Sequence, residues 1–299
     1  MSAPDLADPA GGEPTVSLQE SYAFCEAVAR REAKNFYYSF LLLSTPQRQA
    51  MCAIYAFMRY CDDLSDSQQV TDRAPAIARW REDLTAALAG RSPSSSTPSH
   101  ELWPAFADAV ERYRIPHQYF FEMIDGVSSD LEPRSMRTFG ELYDYCYHVA
   151  SVVGLTIIHI FGFDSPDALK LAEKCGIAFQ LTNILRDVRE DAEHDRVYLP
   201  QEDLERFGVP ADELCAEQVS PALRQLLEFE AARARQYYRE AAPLIALIHP
   251  GSRASLRALI AIYSRLLDKI VAARYEVLAQ RVRVPTWQKL WILARSLLG

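Results

Sequence analysis

YCDDLSD (Tyr60–Asp66) sets three aspartates into seven residues of a segment that otherwise reads as a buried helix. At helical periodicity Tyr55, Arg59, Asp62 and Asp66 share one face, with Asp63 beside the stripe. Met51, Ile54, Phe57, Met58, Cys61 and Leu64 supply the apolar remainder. LRDVRED (Leu185–Asp191) repeats the arrangement later in the chain. There Gln180, Asn183, Asp187 and Asp191 form the polar stripe, among Ile177, Ala178, Phe179, Leu181, Ile184 and Leu185.

Each stripe ends in two carboxylates one turn apart. Such a pair destabilises an exposed helix by about 0.2–0.5 kcal/mol, and by more on a half-buried face, where carboxylates lose solvation. A divalent cation offsets that cost. Mg²⁺ favours hard oxygen ligands, takes one or two carboxylates and completes its shell with water and phosphate. Two such stripes facing each other across a bundle would hold Mg²⁺ ions and a diphosphate. The alternative, two solvated acidic faces, explains neither the apolar surroundings nor the matched spacing.

The rest of the chain bounds the answer. It has 299 residues, 49% hydrophobic and 24% charged, enough apolar mass for a sizeable core. A net charge of −8 argues against nucleic acid as a partner. The six cysteines show no CxxC pair and suit buried thiols in a reducing compartment. Residues 1–17 read as a disordered tail without the features of a signal peptide, and no apolar run is long enough for a spanning helix. A cytoplasmic location is expected, with peripheral contact on the inner face of the membrane through 285–299.

Helical periodicity dominates. It predicts helices near 18–42, 46–65, 74–90, 101–113, 116–128, 138–163, 166–191, 219–245, 252–279 and 285–297. Residues 91–100 read as a polar loop, and 193–209 as a connection with a short helix. No interior linker is visible, so 18–299 is expected to be a single all-α domain.

The chain resembles the squalene/phytoene synthase family of head-to-head prenyl transferases from about Arg30 to about Leu290. The carriers are NFYYSFLLL (35–43), YAFMRYCDDLSD (55–66), DYCYHVASVVGL (144–155), FQLTNILRDVRED (179–191), DRVYLP (195–200) and the stretch Tyr263–Tyr275. The resemblance implies an all-α isoprenoid-synthase bundle with a central cavity, and two allylic prenyl diphosphates joined at their first carbons. It assigns Asp62, Asp66, Asn183, Asp187 and Asp191 to Mg²⁺, with Asp63 close by and Gln180 lining the site. Lys34, Arg59, Arg196 and Arg281 would contact diphosphate, Gln280 competing with Arg281 for its position. Tyr38, Tyr145 and Tyr263 would sit near the reacting carbons. By their own composition, the small and apolar residues of 149–163 suit either a dry channel for prenyl tails or an ordinary buried helix. NFYYSF and the short C-terminus look most like bacterial hopanoid-pathway members, which points to farnesyl diphosphate and to presqualene diphosphate or squalene. Phytoene synthesis from geranylgeranyl diphosphate is the alternative, and a non-catalytic assembly subunit a further one.

Two features depart from the pattern. Glu32 and Asn35 stand where relatives carry His or Ser, and a carboxylate cannot donate to diphosphate. No GxGxxG marks a nicotinamide site, although NADPH bound elsewhere is compatible with the chain. The second motif also separates this chain from other diphosphate-ionising synthases. Elongating enzymes repeat DDxxD, and cyclases carry an Asn/Ser/Glu triad. Of the six histidines, only His148, three residues after Tyr145, is placed to reach the site. Trp287, Leu290, Trp291 and Leu298, near Lys289 and Arg295, suit either an interfacial helix or packing on the bundle.

Overall fold

A computed structural model describes residues 16–33, 36–66, 72–93, 100–131 and 134–298. Lys34, Asn35 and the proposed tail 1–15 lie outside the described residues, as does the side chain of Asp66.

Helix α1 (Leu18–Glu32) begins at a capping box in which Ser17 and Glu20 satisfy each other's backbone N–H. A single helix over 18–42 is expected from periodicity. α1 instead ends at Glu32 with Ala33 as its C-cap, and the short α2 (Phe36–Phe40) is a separate helix. The first acidic stripe rides on α3 (Thr45–Asp66). Helices α4 (Arg73–Leu88), α5 (Trp103–Arg112) and α6 (His117–Ser128) close around it. Phe57 of α3 anchors that packing, stacking on Trp80 and Phe106 and meeting Trp103 and Phe120 edge-on.

The element expected over 138–163 forms α7 (Phe139–Cys146), a π-turn (Tyr147–Ser151) and α8 (Val152–Phe161). The wide turn shifts the helical phase, so Tyr145, Val149, Val153 and Ile157 all face the same cavity. By length and composition 139–161 qualifies as a membrane span, but 56% of its most apolar window is buried inside the bundle, as in a core helix.

The second stripe rides on α9 (Asp167–Ala192), which packs against α8, α11 (Pro221–Ala241) and the π-turn. The approach to the π-turn is backbone to backbone: a Cβ on Gly176 would fall 2.5 Å from Ser151 Cα. Between α9 and α11 lies the short α10 (Gln201–Phe207), and α12 (Leu244–Leu247) leads into α13 (Pro250–Ala272). That helix ends earlier than the expected 279, because Arg274 and Tyr275 turn the backbone left-handed (φ 53° and 61°). The C-terminal α14 (Thr286–Leu298) lies on α13 and α2.

One feature has no precursor in the periodicity reading. β1 (Arg134–Ser135) and β2 (Arg196–Val197) form a two-residue parallel pair with Arg134 opposite Arg196. The architecture is otherwise a single all-α domain, as expected. All six cysteines are unpaired and five are buried.

Candidate active site

A cavity of about 560 Å³ runs between α3, the α7–α8 segment, α9 and α13. Asp62 and Arg59 line it from α3, and Gln180, Asn183, Asp187 and Asp191 from α9. The two acidic stripes therefore meet in one space. Tyr145, Arg196, Tyr263 and Arg281, also expected from sequence, line it too.

The polar end is dense in charge. Arg186 Nε donates to Asp187 Oδ1 at 2.7 Å. Arg281 forks onto the same carboxylate, Nε to Oδ1 at 2.9 Å and Nη2 to Oδ2 at 3.0 Å, and reaches Glu190 Oε2 at 2.9 Å. Arg281 rather than Gln280 therefore occupies the site. Burial pushes the Asp191 carboxyl up to about 7, reinforced by Asp187 and Glu190 and opposed by Arg196 and Arg186. Asp63 pairs with Arg59 one turn away.

A second cluster adjoins Asp191. Asp130, within the 3₁₀ turn (Ser129–Leu131) that follows α6, accepts from Tyr145 Oη at 3.0 Å and Tyr198 Oη at 3.1 Å. The two rings stack 4.7 Å apart, and the Arg134 guanidinium lies 5.0 Å from the Tyr145 ring centroid. Arg196 donates to the Asp130 carbonyl at 3.2 Å. The β1–β2 pair holds Arg134 and Arg196 side by side. Burial raises the Asp130 carboxyl, against the hydrogen bond from Tyr145.

The apolar end is walled by Met123, Val153, Ile157, Cys175, Leu256 and Leu259. Between the two ends stands an aromatic wall. Tyr263 stacks on Phe179 at 4.3 Å and meets Phe36 at 5.6 Å. Burial pushes the Tyr263 phenol up to about 12, so it stays protonated near neutrality.

Such a cavity, charged at one end and apolar at the other, fits an amphiphile with an anionic head. The comparisons agree. The sequence pattern described as squalene/phytoene synthase matches residues 29–288.

The chain belongs to the squalene/phytoene synthase family.

It is 36% identical over 295 residues to the 15-cis-phytoene synthase of Synechococcus elongatus, covering 94% of both chains. It is 35% identical over 288 residues to the phytoene synthase of Arthrospira platensis, covering 92% of this chain and 91% of that one. Among solved structures, a dehydrosqualene synthase with bound ligand superposes with a TM-score of 0.86 at 30% identity, covering 94% of this chain and 96% of that one. A squalene synthase from Alicyclobacillus acidocaldarius does so with 0.79 at 26% identity, covering 87% and 97%. The chain is a prenyltransferase of this family.

Within this synthase, not every expected residue lands in the cavity. Tyr38 does not line it. It packs with Leu42 and Ala261 against α14, with the Lys289 ammonium 5.4 Å from its ring centroid, and Phe36 takes the wall position two residues earlier. The resemblance put Tyr38 near the reacting carbons, but on the short α2 it is Phe36 that faces the cavity while Tyr38 faces α14. Lys34 lies outside the described residues. His148 does line the cavity, with Nδ1 2.7 Å from the Asp144 carbonyl oxygen. Sequence reasoning missed Asp130, Tyr198 and Arg186. Tyr198 sits inside DRVYLP and was within reach of that motif, but Asp130 carries no local signal.

The donor set suits a divalent cation and diphosphate. Among the described residues no three His, Cys, Asp or Glu side chains form a ready-made metal cluster. Asn183 Oδ1, one turn before Asp187, and Arg59 Nε are buried polar atoms without a protein partner. Each is costly to leave unsatisfied, and they supply an acceptor for a cation and a donor for an anion.

Proposed function

We propose that this synthase condenses two allylic prenyl diphosphates head to head, with geranylgeranyl diphosphate as substrate and phytoene as product. The observation that carries the reaction class is the convergence of both aspartate motifs on one cavity with an apolar end. The substrate follows from the relatives, since those matching more than nine-tenths of the chain at 35–36% identity are named phytoene synthases. The expectation from sequence was farnesyl diphosphate, giving presqualene diphosphate or squalene. It stands as the second reading, favoured by the superposition on a dehydrosqualene synthase.

Asp62, Asp66, Asn183, Asp187 and Asp191 would hold Mg²⁺, which neutralises diphosphate as it leaves. Arg59, Arg196 and Arg281, with Lys34 expected beside them, would bind the diphosphate oxygens and stabilise the growing negative charge. Ionisation of the first substrate leaves an allylic cation. Phe36, Phe179 and Tyr263 present ring faces that stabilise it without capturing it. The double bond of the second substrate attacks, and proton loss closes a cyclopropane. Loss of the second diphosphate, rearrangement and a final proton loss give phytoene without a reductant. A hydride from NADPH in place of that last proton loss would give squalene from the shorter substrate.

Purified protein with Mg²⁺ and each prenyl diphosphate, with and without NADPH, tests this reading. Phytoene from geranylgeranyl diphosphate is expected. Turnover of farnesyl diphosphate alone would move the assignment to the second reading. No turnover of either by folded protein would overturn both and favour the assembly subunit.

A further inference from the structure

We propose that the outer face of α14, with Leu41 beside it, docks on an anionic lipid bilayer. The helix has two apolar faces. Ile292 and Leu293 pack inward on α13 and α2 with Lys289 and Ser296. Trp287, Leu290, Trp291, Ala294 and Leu298 follow one another at helical spacing on the opposite side. Trp287 is 68% exposed, Leu290 52%, Trp291 56% and Leu298 89%. Among the described residues, α14 holds most of the large hydrophobic side chains left exposed. Leu41 is another, next in sequence to Leu42, which packs on the inner face of α14.

Charge selects the occupant. The chain carries a net charge of −8, yet residues 277–299 contain no Asp or Glu and four cations, Arg281, Arg283, Lys289 and Arg295, of which Arg281 is engaged at Asp187 and Lys289 is buried. Arg283 and Arg295 are exposed, and Arg295 stacks over Trp291 with its guanidinium 4.8 Å from the ring centroid. Arg257 and Arg265 of α13 flank the helix, bonded to the Ser296 carbonyl and to Gln288. An exposed face of Trp and Leu rimmed by Arg is the pattern of a helix lying in a lipid interface, where indoles sit at the headgroup level. A second copy paired face to face would bury the apolar side chains but bring two Arg rims together, whereas an anionic bilayer matches both the apolar face and the cationic rim.

Position gives the contact a use. The opposite sides of α13 and α2 supply Leu256, Leu259, Tyr263 and Phe36 to the cavity wall. Docking therefore seats the cavity one helix layer from the bilayer, where a water-insoluble product would be delivered.

The tryptophans provide the readout. Trp80 and Trp103 are buried, so a blue shift of emission on adding vesicles reports Trp287 and Trp291. The full-length protein should float with phosphatidylglycerol-containing vesicles, show that shift and release in high salt. It should ignore pure phosphatidylcholine. Trp287→Ser/Trp291→Ser should lose flotation while keeping the wild-type melting temperature and diphosphate release. Arg283→Glu/Arg295→Glu should bind at least about thirtyfold more weakly. No flotation and no shift for the wild type would overturn the proposal, whatever the variants do. So would flotation unchanged in the Trp variant, or a concentration-dependent blue shift without vesicles, which would assign the face to a second copy.

Discussion

At Asp187 two guanidinium groups, Arg186 and Arg281, meet one carboxylate. A fork of this kind is specific to arginine, because lysine offers a point charge with no planar pair of donors. Arg281→Lys should therefore raise KM for the prenyl diphosphate by about tenfold and leave the melting temperature within a few degrees, checked by steady-state kinetics and calorimetry. Asp130 makes a different argument. Its two oxygens each accept a tyrosine hydroxyl, and an amide in its place offers only one acceptor oxygen. Asp130→Asn should lower kcat by about tenfold to a hundredfold, as loss of outer-shell support does at other charged sites, with KM little changed. Combining it with Tyr145→Phe should cost no more than the larger single change, since both act through one network. Multiplying losses would show that Asp130 does not act through Tyr145. The aspartates of the two motifs were legible in the sequence because helical periodicity alone puts each pair on one stripe. Asp130 was not, because its significance comes from two tyrosines that are neighbours only in the fold.

Among the helices, the close contact of α9 with the π-turn is the most exacting. A Cβ at Gly176 would sit 2.5 Å from Ser151 Cα and 2.8 Å from the Ala150 carbonyl oxygen. Gly176→Ala should destabilise by about 1–3 kcal/mol, the range for overpacking a tight site. It should also weaken substrate binding, because Ala150 and Val149 on that turn line the cavity. Urea unfolding and KM measure the two effects. The packing of α10 on α11 carries a pH signature. Buried Glu230 bonds Arg233 at 2.6 Å, and Arg233 bonds Asp203 at 2.9 Å. Burial pushes Glu230 up to about 7 in spite of Arg233. The folded state then binds a proton that the unfolded chain has released, so this group's contribution to stability falls as pH rises from about 4.5 to 7. Glu230→Gln should flatten that slope, read as a urea midpoint less sensitive to pH than the wild type's between those values. An unchanged slope would contradict it. Helix identity was readable from the apolar periodicity, and element ends were not. The stop at Arg274–Tyr275 uses left-handed backbone at two non-glycine residues, and the β1–β2 pair is too short to show alternation.

On the scale of the whole molecule, the fold brings together two helices far apart in sequence and sets their acidic stripes on one cavity between a charged end and an apolar end. The all-α architecture and the site's two halves were written in local patterns. The cavity that joins them depends on the tertiary packing of α3 and α9 around the α7–α8 segment, which no local pattern records. The central claim is that the two stripes act as one site. Single and double variants of Asp62→Ala and Asp187→Ala, assayed for diphosphate release with Mg²⁺ and geranylgeranyl or farnesyl diphosphate, test it most directly. Residues acting as a unit are non-additive, so each single change should abolish nearly all turnover, by about a thousandfold or more, and the double should be no worse than either. Turnover within tenfold of the wild type in either folded single variant, or losses that multiply in the double, would contradict it.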